Sequence, residues 1–416
     1  MIRLSFAYLR DRALNTALNI LLLALGVASL VILLLFSSQL ESRFDRDAQG
    51  IDMVVGAKGS PLQLILSSVY HVDIPTGNVP LDTVALLRRQ LGVAEAVPLA
   101  LGDSFRSFRI IGTEPAYPKL LGADIAAGRM FAAPMEAVIG AEVARRTGAG
   151  LGQRFVGGHG MSTKESGGDE GPKHEETPFI VVGQLGPTGT VIDRLILTQV
   201  QSVWQMHGIA SPEAAHDDEH HEGETAKEHE AHVSPAEVTA VLVRFGSPIA
   251  AVRLPGFINR QTNLQAAVPA VEVSRLLALV GVGLDAVRGF AVLLMLTSGL
   301  SIFVALLTAL KEREADMAML RVIGASRAAI IGQVVSEGLI LAGAGAALGL
   351  ILGHGVIAIA AANIEQLAQL GLSGLSFHPG EAIIVAAALT IGLIAALIPA
   401  IRVLQADIAE TLANAR

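Results

Sequence analysis

A bundle of four membrane-crossing helices, with an α+β extracytoplasmic domain inserted between the first helix and the second, is the fold class that the sequence predicts. Three observations predict it. Apolar residues gather into one run near the N-terminus and three near the C-terminus, while the middle of the chain reads like a water-soluble domain. Lys and Arg gather at one set of ends of those runs. The middle alternates short apolar runs with Gly and Pro, the pattern of strands bounded by turns.

The chain is 52% hydrophobic and 16% charged, with a mean hydropathy of +0.55. An ordinary globular domain carries about 25% charged residues. A helix needs about 20 apolar residues to cross a hydrocarbon core about 30 Å thick. Residues 13–40 contain no charge, and 20–36 are almost purely aliphatic. That run is too long for a signal-peptide core and lacks a good small-residue cleavage site, so it predicts an uncleaved anchor. The second, third and fourth crossings are expected at 286–310, 328–362 and 381–402. The third carries Gly343, Gly345, Gly349 and Gly353 at helical spacing, which lets helix backbones approach closely. It also carries Glu337 and His354; a polar interhelical bond and an ion pathway are the two readings for such residues.

Orientation follows the Lys and Arg that flank the crossings. Arg3, Arg10 and Arg12 precede the first, Lys311, Arg313, Arg321 and Arg327 lie between the second and third, and Arg402 follows the fourth. Residues 363–380 hold no Lys or Arg. Segments 1–12, 311–327 and 403–416 are therefore expected in the cytoplasm, with 41–285 and the loop 363–380 outside, in a multi-pass protein of the inner (plasma) membrane.

Within 41–285, strands are expected around Met53-Val54-Val55, Arg109-Ile110-Ile111-Gly112, Ala137-Val138-Ile139-Gly140, Phe179-Ile180-Val181-Val182-Gly183 and Ala240-Val241-Leu242-Val243, with helical patches at 82–91 and 141–147. Two polar inserts, 157–177 and 211–234, cannot contribute to a core and are expected to be mobile surface loops. The second holds His216, His220, His221, His229 and His232 among many carboxylates. Imidazole with carboxylate suits Zn²⁺, and a solvated acidic loop is the alternative. Weak zinc binding and plain solvation both remain open at this stage.

The chain has no Cys, so disulfides and thiolate metal sites are excluded. A net charge of −8 argues against nucleic acid as a partner. No Gly-x-x-x-x-Gly-Lys-Ser/Thr loop, His-Glu-x-x-His or Gly-x-Ser-x-Gly arrangement occurs. Val55-Gly56-Ala57-Lys58-Gly59-Ser60 has the wrong spacing for a phosphate loop. The residues suggest a non-catalytic protein.

The most specific stretch is Lys311-Glu312-Arg313-Glu314-Ala315-Asp316-Met317-Ala318-Met319-Leu320-Arg321-Val322-Ile323-Gly324-Ala325-Ser326-Arg327, an amphipathic charged helix leading into a turn. It resembles the FtsX-like/MacB-like ABC transporter permeases. Gly345-Ala346-Ala347-Leu348-Gly349, Ile398-Pro399-Ala400-Ile401-Arg402 and the tail 406–412 carry the likeness further. Gly128-Arg129-Met130-Phe131, Val138-Ile139-Gly140 and Val181-Val182-Gly183 are similar to the family's MacB-like periplasmic core domain. The resemblance implies a homodimer bound to two separate cytoplasmic ATPase subunits, which hold the ATP. It makes 311–327 a coupling helix, with Glu312, Arg313, Glu314, Met317, Leu320, Arg321, Gly324, Ala325 and Ser326 as its ATPase-coupling residues. The run 54–71 resembles a subgroup associated with His-rich periplasmic proteins and zinc-linked operons.

Export or mechanotransmission, with lipid or lipoprotein, hydrophobic small molecule or peptide, or zinc handled with a periplasmic partner, is the expected function. A regulatory membrane scaffold that recruits or activates an envelope protein is the alternative. Eight crossings in a dimer are few for a wide hydrophilic pore.

Overall fold

The structure is a computed structural model and describes residues 8, 10–158, 178–206, 236–313, 317, 319, 321–364, 367 and 371–403. In chain order the elements are α1 (Ala13–Ala48), β1 (Met53–Ala57), α2 (Pro61–Ser68), β2 (Val79–Pro80), α3 (Asp82–Arg88), β3 (Val93–Phe105), β4 (Phe108–Thr113) and α4 (Ala116–Leu120). There follow β5 (Ile125–Gly128), β6 (Glu136–Ile139), α5 (Ala141–Thr147), β7 (Arg154–Phe155), β8 (Phe179–Leu185), β9 (Leu195–Gln199), α6 (Val200–Met206), β10 (Glu237–Val238), β11 (Ala240–Phe245), α7 (Pro248–Gln261) and β12 (Leu264–Ala267). The chain closes with α8 (Pro269–Glu312), α9 (Arg327–Asn363) and α10 (Gly380–Val403). It divides into two units, one formed by residues 1–42 with 278–416 and the other by residues 43–277.

The inserted unit is built on a ten-stranded mixed sheet in the order β12-β1-β11-β3-β4-β9-β6-β8-β5, with β7 paired to β8. The pairs β4–β9 and β6–β8 are parallel, and the other pairs are antiparallel. Both faces of its central strands are covered. Val54, Leu242, Ile111, Leu195 and Leu197 enter one core, Met53, Val55, Val241 and Val243 a second, and Ile110 and Ile196 a third. Double burial explains why these strands read as unbroken apolar runs instead of alternating ones.

Four helices are long and apolar enough to cross a membrane: α1, α8, α9 and α10. At 1.5 Å per residue α8 is about 66 Å long, more than twice a hydrocarbon core. It begins at Pro269, well before residue 286, and its early turns carry Glu272–Arg275 and Asp285–Arg288 pairs of 2.9 and 2.7 Å on one continuous helix. The bundle core stacks Leu23, Val27, Val31 and Leu35 of α1, one per turn, against Met295, Ile302 and Leu306 of α8 and Leu341, Ala342 and Ala346 of α9. Gly338 of α9 and Gly392 of α10 cross so closely that a Cβ on either would meet the other's carbonyl oxygen within 3.1 Å. Most of each apolar segment remains uncovered by the chain itself. Leu293, Leu296, Leu300, Ile351, Ile359 and Ile383 point outward, as an apolar solvent such as lipid requires.

Candidate functional site

The stretch between α8 and α9 is short, and its geometry is set by a glycine and a cap. α8 runs through Glu312, so Lys311 and Glu312 close that helix instead of opening a new one. The chain turns at Arg313, whose N–H donates to both Ala309 and Leu310 carbonyls at 3.2 Å, and Met317 N–H donates back to Arg313 O at 3.0 Å. Met319, Arg321 and Val322 are helical again. The turn closes through Ile323 N–H to Met319 O and Gly324 N–H to Arg321 O. Gly324 takes φ +109°, a region that a Cβ disfavours. Two residues on, the Ser326 hydroxyl accepts from Ala329 N–H at 3.2 Å and starts α9 with an N-cap.

The apolar residues of this stretch divide into two sets. Met317 is buried with Leu310, Ile330, Val334 and Ala400. It therefore pins the segment to the bundle and presents no surface to a partner, contrary to the sequence expectation; packing against α9 and α10 claims it first. Met319, Val322 and Ile323 are 59, 67 and 77% exposed. Spaced i, i+3 and i+4, they form one apolar face that no contact among the described residues buries.

The charged candidates separate likewise. Glu312 pairs with Arg12 ahead of α1. Arg313 is 11% exposed at its side chain and its guanidinium lies over the Tyr8 ring, 3.6 Å from the centroid. Its Nη2 donates to Tyr8 O at 3.3 Å and its Nη1 lies 3.8 Å from Glu337 Oε2. Arg321 and Ala325 are half-buried, and Gly324 and Ser326 exposed. Glu314, Leu320 and the five histidines His216, His220, His221, His229 and His232 lie outside the described residues. Among the described residues no group of three His, Asp or Glu is placed to hold a metal ion.

Glu337 and His354 of α9 both have polar partners. Glu337 accepts from Gln333 Nε2 at 3.1 Å. His354 Nδ1 donates to Gly374 O at 2.8 Å, and its Nε2 lies 3.1 Å from Glu381 Oε2 on α10. Glu381 also accepts from His378 N–H at 2.8 Å.

In the inserted unit, the run 54–71 is structural throughout its described contacts. Lys58 Nζ donates to the carbonyls of Asn259, Thr262 and Leu264 and closes the end of α7, where a cation is favoured. Ser60 caps α2 through Gln63 N–H. His71 is buried at φ +55°, its Nε2 3.1 Å from the Tyr117 hydroxyl. Burial, with Arg109 and Arg194 nearby, pulls its pKa down to about 3. Sequence reasoning missed Asp47, which is buried, accepts from Val191 N–H at 2.7 Å and pairs with Arg43 at 3.3 Å. One of two Asp in the charged run Arg43-Phe44-Asp45-Arg46-Asp47, it carries no local signal of this.

Among solved structures, the periplasmic region of MacB from Actinobacillus actinomycetemcomitans is 12% identical, with a TM-score of 0.36 over 55% of this chain and 95% of that one. The extracellular domain of the noncanonic ABC-type transporter YknZ from Gram-positive bacteria is 13% identical, with a TM-score of 0.31 over 51% and 98%. A permease-protein domain from Porphyromonas gingivalis gives 14% and 0.28 over 53% and 88%. No curated protein matches the chain. The family model of the MacB-like periplasmic core domain matches residues 16–252, and that of the FtsX-like permease C-terminal region matches residues 288–408. With its four apolar helices and the mixed α+β domain between the first two, the chain belongs to the FtsX/MacB-like family of ABC permeases.

Proposed function

We propose that this chain is the non-catalytic membrane subunit of an ABC complex. A separately encoded cytoplasmic ATPase docks on the segment between α8 and α9, and its hydrolysis cycle moves the extracytoplasmic domain for export or mechanotransmission. The observation that carries this reading is the uncovered face of Met319, Val322 and Ile323, set between charged residues on a turn fixed by Gly324 and Ser326. An apolar face in such company fits a protein groove better than water. The excess of Lys and Arg here and ahead of α1 supports a cytoplasmic position for both. Two permease copies with two ATPase copies follow from the family.

The test is co-purification of the full chain with its cognate ABC ATPase in detergent. The wild type should retain the ATPase at one copy per permease, and Ile323→Asp should release it. Failure of the wild type to retain it, or ATP hydrolysis by the chain alone, overturns the reading. A permease that holds the ATPase but acts only by recruiting an envelope protein would show hydrolysis without any nucleotide-dependent movement of its extracytoplasmic domain.

The acidic segment 211–234 adds a second proposal. Its histidines His216, His220, His221, His229 and His232 supply ligands for Zn²⁺ of micromolar or weaker affinity. The reading rests on their density among carboxylates. Calorimetric titration of the full chain and of a version lacking 213–232 decides it: equal uptake by both, or none by either, rejects the segment as a zinc site.

A further inference from the structure

Arg313 joins three parts of the bundle at one guanidinium. Its backbone ends α8 through the bonds to Ala309 and Leu310, and starts the coupling segment through the bond from Met317. Its flat face covers the Tyr8 ring just ahead of α1, and Nη2 holds the Tyr8 carbonyl. Its other edge faces Glu337 on α9, whose second oxygen is held by Gln333. The pair sits beside a small pocket lined by Asn15, Thr16 and Asn19 of α1, by Leu306 and Ala309 of α8 and by Leu341 of α9. Asn19 is buried there, with its Oδ1 lacking a partner among the described residues. A fully packed site would resist rearrangement; this one has room and a spare acceptor in Asn19 Oδ1.

We propose that Arg313 is a positioning residue for coupling, and does not contact the ATPase. It passes displacement of the segment 317–324 to the start of α1 and to Glu337 on α9. The inference rests on the proposed docking of an ATPase at Met319, Val322 and Ile323. A guanidinium stacks by its face and binds two oxygens by its edge at once, whereas a lysine ammonium is a point charge that cannot do all three. The role therefore belongs to Arg and not to a positive charge as such. Glu337 supplies the opposite charge that keeps a buried guanidinium in register, and α9 moves with it.

The chain has no Cys, so a single label can be placed cleanly at Leu91→Cys, a position 98% exposed in the inserted domain. Pulsed electron paramagnetic resonance on the labelled permease–ATPase complex, with ADP and then with ATP and vanadate, reads the domain's response to nucleotide. Wild type should change its label-to-label distance distribution with nucleotide. Arg313→Lys and Glu337→Gln should both retain the ATPase. Arg313→Lys, which loses the charged hydrogen bond to the Tyr8 carbonyl, should shift the nucleotide-dependent equilibrium about tenfold less. Glu337→Gln, which loses the ion pair, should also shift it less. Tyr8→Phe keeps the ring and the carbonyl and should respond like wild type, while Tyr8→Leu should lose part of the response. A purely structural Arg313 would lower thermal stability in Arg313→Lys and leave the nucleotide response intact, and that result overturns the proposal. Failure of the wild type to hold the ATPase overturns the docking reading, and this proposal with it.

Discussion

Gly349 of α9 lies against Val27 of α1 so closely that a Cβ at Gly349 would sit 2.6 Å from the Val27 Cβ and 2.8 Å from the carbonyl oxygen of Ala24. Gly345 and Gly353 repeat the relationship one turn away on either side, against Leu23 and Val31. The two backbones can approach only because all three positions lack side chains. Gly349→Leu should therefore wedge the helices apart and cost about 1–3 kcal/mol, as overpacking does. Gly343, two residues before Gly345, faces open space, with no atom within 4 Å of where its Cβ would stand. Gly343→Leu should leave stability unchanged. Thermal unfolding of both variants in one detergent checks the pair, and equal losses would place the close approach elsewhere.

That glycine row was legible in the sequence because helical spacing of small residues has one common use in a membrane. The four crossings and the strands β1, β4, β6, β8 and β11 were legible for a similar reason: burial on both faces leaves long apolar runs. The strand β3 was not. Its Pro98 lies opposite Val241 in the middle of the sheet, where a missing N–H normally argues against a central strand. Nor could the sequence reveal what Arg313 does. Its partner Tyr8 is 305 positions away, and a Lys/Arg-rich segment reads as solvated until the fold brings the partners together. The burial of Met317 was hidden for the same reason, since amphipathic spacing identifies an apolar face without saying whether the chain or a partner covers it.

Asp47 gives a prediction for the last turn of α1. Its carboxylate is buried and accepts from Val191 N–H and Arg43 Nε. Asp47→Ala leaves that N–H buried without an acceptor and should cost about 1–3 kcal/mol. Asp47→Asn keeps an acceptor for Val191 and should cost less. Trp204, the sole Trp, is buried in the same unit, so its fluorescence during urea unfolding reports the domain directly. The prediction fails if the two variants unfold at the same urea concentration.

Glu136 holds the turn before β6. It accepts from the Arg129 guanidinium and from the N–H groups of Ala132 and Ala133 at 2.8 and 3.2 Å. The Arg129 bonds first, then those backbone donors, lower its pKa to about 2. A depressed carboxylate contributes stability that is complete above its unfolded value, about 4.3, and is lost as pH falls toward 2. Glu136→Gln should be less stable than wild type at pH 7, with the difference shrinking between pH 4 and 2. Hydrogen exchange at Ala132 and Ala133 would measure it; protection independent of both pH and mutation would exclude the clamp.

His71 should make the inserted domain sensitive to mild acid. It is buried and neutral, with its pKa lowered to about 3, chiefly by burial and then by Arg109 and Arg194. In the unfolded chain an imidazole takes up its proton near pH 6.5. Between those two values the unfolded state binds more protons than the folded one, so stability must fall as pH falls. The full contribution is present above about 6.5 and declines by at most about 1.4 kcal/mol per pH unit below it. Asn is the replacement to use, because it tolerates the positive φ of His71 and offers an amide to the Tyr117 hydroxyl without titrating. His71→Asn should lower stability modestly at pH 7.5 and flatten its decline between pH 6.5 and 4.5. Urea unfolding followed by Trp204 fluorescence across that range decides it, and parallel pH profiles for wild type and variant would assign the acid sensitivity to another group.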